Sequence, residues 1–382
     1  MHSSSVYGGM EIYVERVLAH LDRDRYVPTF YFPPDHRHLV PDPMEQHVRD
    51  LGVELVVPPS THLARINDTF GNVWAFARMV HGRRPAIIHV NTAVADRPRV
   101  PLLAHAIARR TPLVRTEHLP PLPGSGTRAV RRSVRLLDAL TDQLVVVSAD
   151  NRRAQVEHLG RRADRILVLH NGTELAPVVS HEGRDAAKRS FGLDPAVPLI
   201  GAVGRLHEQK GHRHLIDAFR QVLDRVGSAT LMIVGDGPLE GELRAQVQAL
   251  GLADHVVMPG YVPDPQRYIA AFDIAVMPSL FEGFSLSMLE FLAAAKPCVF
   301  TDHSSFLEAT ANGACARIAV AGDSASLADQ LTGLLADPVA AEALGLAARR
   351  HVEANFSMDV HISRLMELYD TLCAGRRPAI PA

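Results

Sequence analysis

Cysteine is scarce. Cys298, Cys315 and Cys373 are the only three in 382 residues, odd in number and far apart, which argues against a disulfide framework and a zinc site and reads as a reducing, cytoplasmic setting. Long apolar runs are missing too: no 18-residue stretch and no charged-then-apolar leader occurs, so neither a membrane span nor a secretion signal is expected. Charge of one sign is absent. Forty Lys+Arg face 42 Asp+Glu, for a formal charge of −2, and without a basic field nucleic acid is not the expected partner. Any charged ligand must be met locally. Histidine is plentiful, with "DHRH" at 35–38 and "HRH" at 212–214, but neither has the i, i+4 spacing with a carboxylate that a metal would want. Both are expected as solvated surface residues, and no metal is expected.

What is present is 47% hydrophobic residues, enough for two well-cored domains. Short β-rich runs alternate with longer helical patterns, the signature of parallel sheets built from βαβ units. The strand candidates of the first half run from "YVPTFYF" through "AIIHVN", "PLVRTEH" and "QLVVVSA" to "RILVLHN". From residue 198 the alternation restarts with "PLIGAVGRL", "ATLMIVGDG", "HVVMPGYV", "IAVMPS", "PCVFTD" and "ARIAVAG". Two doubly wound halves follow, residues 1–177 and 178–354, split near the polar "NGTELAPVVSHEGRD". Residues 355–382 read as an amphipathic helix, with Val360, Leu365, Leu368 and Leu372 at near-helical spacing, that docks on the N-terminal half. A ligand is expected between the halves, at the carboxyl ends of the sheets. Only "MHSSSVY" precedes Gly8 and Gly9, too short and polar for a buried first strand, so the first sheet is expected to lack that strand.

Four segments suggest chemistry. "VGRLHEQKGHRHLIDAF" follows a strand and opens a helix near Gly211, with Arg205 and Lys210 flanking a turn where N–H groups and cations can meet an anion. Two solvated basic residues would explain it as simply. "IVGDGPLEG" is a Gly-rich turn with Pro238 expected in a first helical turn. "MPGYV" puts Gly260 and Tyr261 at a strand end, where backbone groups could hold a base. "PSLFEGFSLSMLEFLAAAKP" places Glu282 in a loop and Glu290 on a helix capped by Ser285 or Ser287 and stopped at Lys296-Pro297. Eight residues of loop and helix let both carboxylates face one site.

In this order, these segments resemble the C-terminal domain of family 4 glycosyltransferases, retaining enzymes of the GT-B fold. "YGGME", "TEH", "VSADNRRA" and "HNG" extend the likeness upstream over nearly the whole chain. The resemblance implies a metal-independent transferase that moves a hexose from a nucleotide-diphosphate donor to a glycan, lipid or small-molecule acceptor. Arg205 and Lys210 would hold the diphosphate, Glu290 the ribose, Glu282 the sugar hydroxyls, and His118 would line the sugar pocket. Donor binding would fall on Gly8, Gly9, Gly204, Arg205, Lys210, Gly235, Tyr261, Val262, Phe284, Ser285, Leu286 and Glu290. The catalytic set would be Glu282, Arg205, Lys210 and His118. Two rivals remain: a catalytically silent sugar-nucleotide-binding protein, and a GT-B nucleotide-sugar epimerase or hydrolase.

Three departures bear on sugar preference. Ser304-Ser305 stand where the family has a glycine pair, Ser285 replaces a frequent glycine, and Ala295 stands at a helix end that usually takes glycine. Separately, Arg128, Arg131, Arg132 and Arg135 form one basic stripe over an apolar one of Val130, Val134 and Leu137. That pattern suits an anionic acceptor or peripheral contact with the inner membrane face; a solvated helix face is the plainer account.

Overall fold

A computed structural model describes residues 8–31, 43–56, 69–93, 102 and 111–380. The expectation of a missing first strand, and the "DHRH" histidines, lie outside those residues. The chain forms two compact units, a first of Met1–Asn171 with Met358–Ala382 and a second of Gly172–Ser357.

The second unit is a six-stranded, all-parallel sheet. Its strands are β7 (Leu199–Val203), β8 (Thr230–Val234), β9 (Val256–Gly260), β10 (Ile274–Met277), β11 (Cys298–Thr301) and β12 (Arg317–Ala319), in the order β12-β11-β10-β7-β8-β9. That order reverses direction between β7 and β10, which is the switch point of a Rossmann-like sheet. The helices α7 (His212–Val226) and α12 (Ser324–Ala336) pack together through Leu215, Phe219, Leu327 and Leu331, all buried in one core with Ile200 and Ile233. Buried strands flanked by helices read as continuous apolar runs, which is why β7, β8 and β10 were visible in the sequence.

The first unit, among the described residues, holds β1 (Thr29–Tyr31) paired with β2 (Glu54–Val56), and a separate parallel sheet in the order β3 (Ile88–Thr92), β4 (Leu113–Glu117), β5 (Gln143–Val146), β6 (Ile166–Val168). Successive strand residues face opposite sides, and the register pairs His89 with Val114 and Asn91 with Thr116. One face of this sheet therefore carries His89, Asn91 and Thr116, covered by α1 (Gly9–His20) and α14 (Met358–Cys373). His89 bonds Tyr369 of α14 through Nδ1 at 2.6 Å and Thr116 through Nε2 at 2.8 Å. Arg25 and Tyr26 fasten the outer edge of α14 through Asp370 at 2.5 and 2.6 Å. The buried side of α14 is Met358, His361, Ile362, Leu365, Leu368, Tyr369 and Leu372; Val360 lies beside it rather than on it.

The opposite face carries Arg115 and Glu117, both wholly buried, beneath α4 (Arg128–Ala139) and α5 (Ala149–Leu159). Arg161 donates to Glu117 at 2.7 and 3.0 Å and to Asp138 at 2.8 and 2.9 Å. Arg115 pairs with Glu117 at 3.3 Å and also bonds Asp138. Two cations and two carboxylates thus neutralise one another inside the unit. Burial raises the Glu117 carboxyl, but the Arg161 and Arg115 charges and the hydrogen bonds from Arg161 and Gln155 pull it below its ordinary value.

Several expectations need correction. His212 is buried, not solvated: it is the first residue of α7 and is only 3% exposed. Pro238 precedes the helix α8 (Glu240–Ala249) rather than entering it, because Leu239 is the N-cap. Arg131 is not part of a free stripe, since its Nε donates to the Gly126 carbonyl at 2.9 Å; Arg128, Arg132 and Arg135 are exposed. The helix α10 (Leu286–Ala293) ends before Lys296-Pro297 is reached, at a left-handed Ala295 with φ 55°. Among the described residues no single helix is long and apolar enough to cross a membrane. The bent pair α12 and α13 (Pro338–Asn355) is long enough together, yet Leu327, Leu331, Leu334 and Ala341 belong to the core.

Candidate active site

The loops after β7 and β10 leave the sheet side by side at the switch point, and backbone bonds tie them. Leu280 N donates to Gln209 O at 2.8 Å, and the Gln209 amide donates to Phe281 O at 2.9 Å. Glycine makes this approach possible. Gly211 has φ 65°, and a Cβ there would lie 2.1 Å from Pro278 O. Gly235, at the end of β8, has φ 137°, and its Cβ would lie 2.1 Å from Gly204 O. No other residue fits either place without moving backbone.

This packing brings Lys210 onto Glu282. Lys210 Nζ donates to Glu282 Oε1 at 2.5 Å, with side chains 19% and 6% exposed. Ser279 Oγ donates to the same oxygen at 2.9 Å, and Thr301 Oγ1 holds the Ser279 carbonyl at 2.6 Å. Both bonds fall on Oε1, and among the described residues neither involves Glu282 Oε2. Glu290 is buried, 7% exposed, on α10. Ser285 is that helix's N-cap, accepting from Met288 N at 3.5 Å, which decides against Ser287. Phe284 is buried, its ring edge-on to Phe356 at 5.3 Å, and Leu286 opens α10. Arg205 is exposed just beyond Gly204.

At the edge of the sheet, Gly260 ends β9 with φ 85°, followed by Tyr261, 57% exposed, and half-buried Val262. The N-terminus of α7 follows Gly211 without a side-chain cap, so its first N–H groups are open to an anion. His212 stays neutral there: burial first, and the Lys210 charge second, hold its pKa to about 3. The Ser304-Ser305 departure begins a short helix, α11 (Ser304–Ala309), capped by His303, whose Nδ1 accepts from Ser305 N at 3.2 Å. Ser305 is buried, so only Ser304 adds a side chain at that surface. Among the described residues no three His, Cys, Asp or Glu side chains gather as metal ligands.

In the first unit, His118 follows β4, 8% exposed, its Nε2 3.1 Å from Asn91 Oδ1. Gly8 caps α1, its N–H donating to Glu11 at 2.8 Å; a Cβ on Gly9 would meet nothing within 4 Å. Ser279, Gln209 and Thr301 join the site without a motif of their own in the sequence. Ser279 alone had a signal, three residues before Glu282 in one loop.

Known proteins share this arrangement of segments. Residues 197–337 match the family model described as glycosyl transferases group 1, and residues 7–176 match that of glycosyltransferase family 4. The lipopolysaccharide core biosynthesis mannosyltransferase LpcC of Rhizobium leguminosarum bv. viciae is 29% identical over 271 residues, 65% of this chain and 77% of that protein. The 2-deoxystreptamine glucosyltransferase of Streptomyces kanamyceticus is 31% identical over 154 residues, 40% of each chain. The crystal structure of Anabaena Alr3699/HepE in complex with UDP-glucose superposes with a TM-score of 0.82 at 20% identity, over 97% of this chain and 98% of that one.

Proposed function

This chain belongs to the family 4, group 1 glycosyltransferases, with two Rossmann-like domains of GT-B type, and from that premise we propose a retaining, metal-independent hexosyltransferase using a nucleotide-diphosphate sugar. The observation that carries the reading is the Lys210–Glu282 pair at the switch point, with both of its bonds among the described residues on Oε1 and neither on Oε2. Lys210, Arg205 and the α7 N-terminus take the charge that collects on the diphosphate as the glycosidic C–O bond breaks, without a metal. Glu290 accepts from the ribose hydroxyls, and Glu282 Oε2 from the sugar. Retention follows if the acceptor oxygen enters on the face the diphosphate leaves, its proton passing to the departing phosphate oxygen. A mannosyl and a glucosyl transferase among the relatives support a hexose donor.

A thermal-shift panel of UDP-, GDP- and ADP-hexoses tests this, because a ligand bound only by the folded state raises its apparent stability. At least one should stabilise the protein. Lys210→Ala and Glu290→Ala should weaken that shift, while Glu282→Ala should keep it and lower turnover by about 10²–10³. Unchanged donor affinity in all three variants would refute the site. Turnover of donor with no acceptor present would favour an epimerase or hydrolase.

The acceptor partner has a candidate surface as well. Arg128, Arg132 and Arg135 are exposed along α4, with Leu136 70% exposed beside them. Cations flanking an exposed leucine suit peripheral contact with anionic lipid. Sedimentation with phosphatidylglycerol vesicles should be salt-sensitive and lost in Arg128→Ser/Arg132→Ser/Arg135→Ser; no binding at low salt ends the idea.

A further inference from the structure

His118 sits at the end of a chain of hydrogen bonds and ring contacts that begins on α14, at the other end of the sequence. His361 Nδ1 lies 2.7 Å from the His170 carbonyl. A carbonyl only accepts, so that nitrogen carries the proton and Nε2 is an acceptor. Tyr13 OH, 3.2 Å from His361 Nε2, is therefore the donor in that bond. The Tyr13 ring stands edge-on to both imidazoles, 4.8 Å and 65° from His118 and 5.4 Å and 77° from His361. His118 in turn has Nε2 against Asn91 Oδ1, an acceptor, which places its proton on Nε2 and leaves Nδ1 unprotonated in the neutral ring.

We propose that Tyr13 and His361 are positioning residues for His118: His361 fixes the Tyr13 hydroxyl, and the Tyr13 ring holds the plane of the His118 imidazole so that its Nε2 stays on Asn91. The inference rests on the reading of His118 as a residue of the sugar pocket. Tyr13 lies four residues beyond Gly9 on α1, the helix that Gly8 caps. Burial keeps the relay uncharged, holding His361 to about pKa 4 and pushing the Tyr13 phenol well above its ordinary value. A neutral relay matters, because a His361 protonated on both nitrogens could not accept from Tyr13.

Histidine-selective ¹⁵N NMR of the full chain tests it, with the His118 signals assigned by their loss in His118→Ala. His361 should show an Nδ1-protonated pattern and His118 an Nε2-protonated one. Tyr13→Phe keeps the ring and removes only the hydroxyl; His361→Gln does not touch His118. Both should move the His118 nitrogens toward the averaged positions of a ring exchanging tautomers. Tyr26→Phe removes a hydroxyl from the same helix interface, where Tyr26 bonds Asp370, and should leave His118 unmoved. His118 signals unchanged in both Tyr13→Phe and His361→Gln, or moved equally by Tyr26→Phe, overturn the inference alone. Turnover separates it from the reading beneath: with the nucleotide hexose giving the largest thermal shift, Tyr13→Phe should lower kcat about tenfold with the donor shift retained. Full turnover in His118→Ala overturns that reading and the positioning role together.

Discussion

In the second unit the Lys210–Glu282 pair stands on loops beyond strand ends, which glycines pull together; in the first, Arg115 and Glu117 lie on one face of a strand, under two helices. Lys210 and Glu282 meet because β7 and β10 are neighbours whose loops are zipped by Leu280 and Gln209. Arg115 and Glu117 meet because residues two apart share a strand face, and Arg161 and Asp138 close over them. In the loop pair both bonds fall on one carboxylate oxygen, Glu282 Oε1, and neither on Oε2. The strand cluster spends its polar atoms on itself, apart from Arg115 Nη1, which has no partner among the described residues. The same two-charge chemistry thus yields a site where backbone turns hold it open and a structural anchor where a sheet face closes on it.

The sharpest way to break this comparison is to remove one cation from the anchor. Arg161→Met leaves Glu117 buried beside Arg115 alone, and truncating one partner of a buried network costs about 3–5 kcal/mol. The loss should be confined at first to the first unit. Trp74, the single tryptophan and 68% exposed on α3 (Thr69–Arg83), reports on that unit by fluorescence, whereas far-UV circular dichroism sees both. In urea the fluorescence transition should move to lower concentration and separate from the remaining dichroism change. A variant as stable as the parent would mean that the cluster is not an anchor.

Acid should widen the contrast by a smaller amount. Burial, with a small push from neighbouring charges, holds His89 to about 3, and burial holds His361 to about 4, from 6.5. A base whose folded pKa is depressed takes its proton more readily when unfolded. Its contribution is complete above about pH 6.5 and declines as pH falls toward the folded value. At pH 5.5 each such histidine costs about 1.4 kcal/mol, so the first unit loses about 3 kcal/mol. The second unit has His212 in the same condition, and His351 shifted in the same direction but only half-buried. Glu117 has the opposite window: its depressed pKa stabilises above the ordinary carboxylate range and is lost only in stronger acid. Urea midpoints at pH 7.5 and 5.5 should therefore fall further by fluorescence than by dichroism. Equal falls would sink the claim that buried neutral histidines distinguish the units.

The comparison also explains what could be read beforehand. Lys210, Gly211, Glu282, Ser285 and Glu290 sit in two short segments whose turns are set by nearby residues, so order and spacing carried the site. The strands of the second unit showed as apolar runs for the same local reason. Tyr13 and His361 are 348 positions apart, and nothing local distinguishes a histidine on the buried face of α14 from one on its surface. His212 was misread in this way, since a polar-looking "HRH" conceals a first residue packed under the helix start. Arg115 and Glu117 had a weak signal, two opposite charges at period two inside an apolar strand, but their partners Asp138 and Arg161 come from two separate helix ends. Tertiary pairing settled what periodicity left open.

Ala295 offers the smallest effect and a test of how local the second unit's costs are. Lys296 N donates to Phe291 O and Ala295 N to Leu292 O, each at 3.1 Å, the pair of bonds that closes a helix through a left-handed residue. Alanine in that conformation is strained, and glycine relieves the strain while adding freedom to the unfolded chain. The net gain for Ala295→Gly should be about 0.5–1 kcal/mol, seen as a rise of about 2–3 °C in Tm. The neighbouring glycine behaves oppositely: a Cβ on Gly345 would sit 2.2 Å from Ala295 O, so Gly345→Ala should destabilise by forcing α13 off the end of α10. Because Glu290 lies one turn earlier on α10, donor-induced stabilisation should persist in Ala295→Gly and weaken in Gly345→Ala. If Ala295→Gly lowers Tm, the turn is held by contacts of the alanine methyl group rather than by its backbone, and the second unit is less a product of local turns than the first-unit contrast requires.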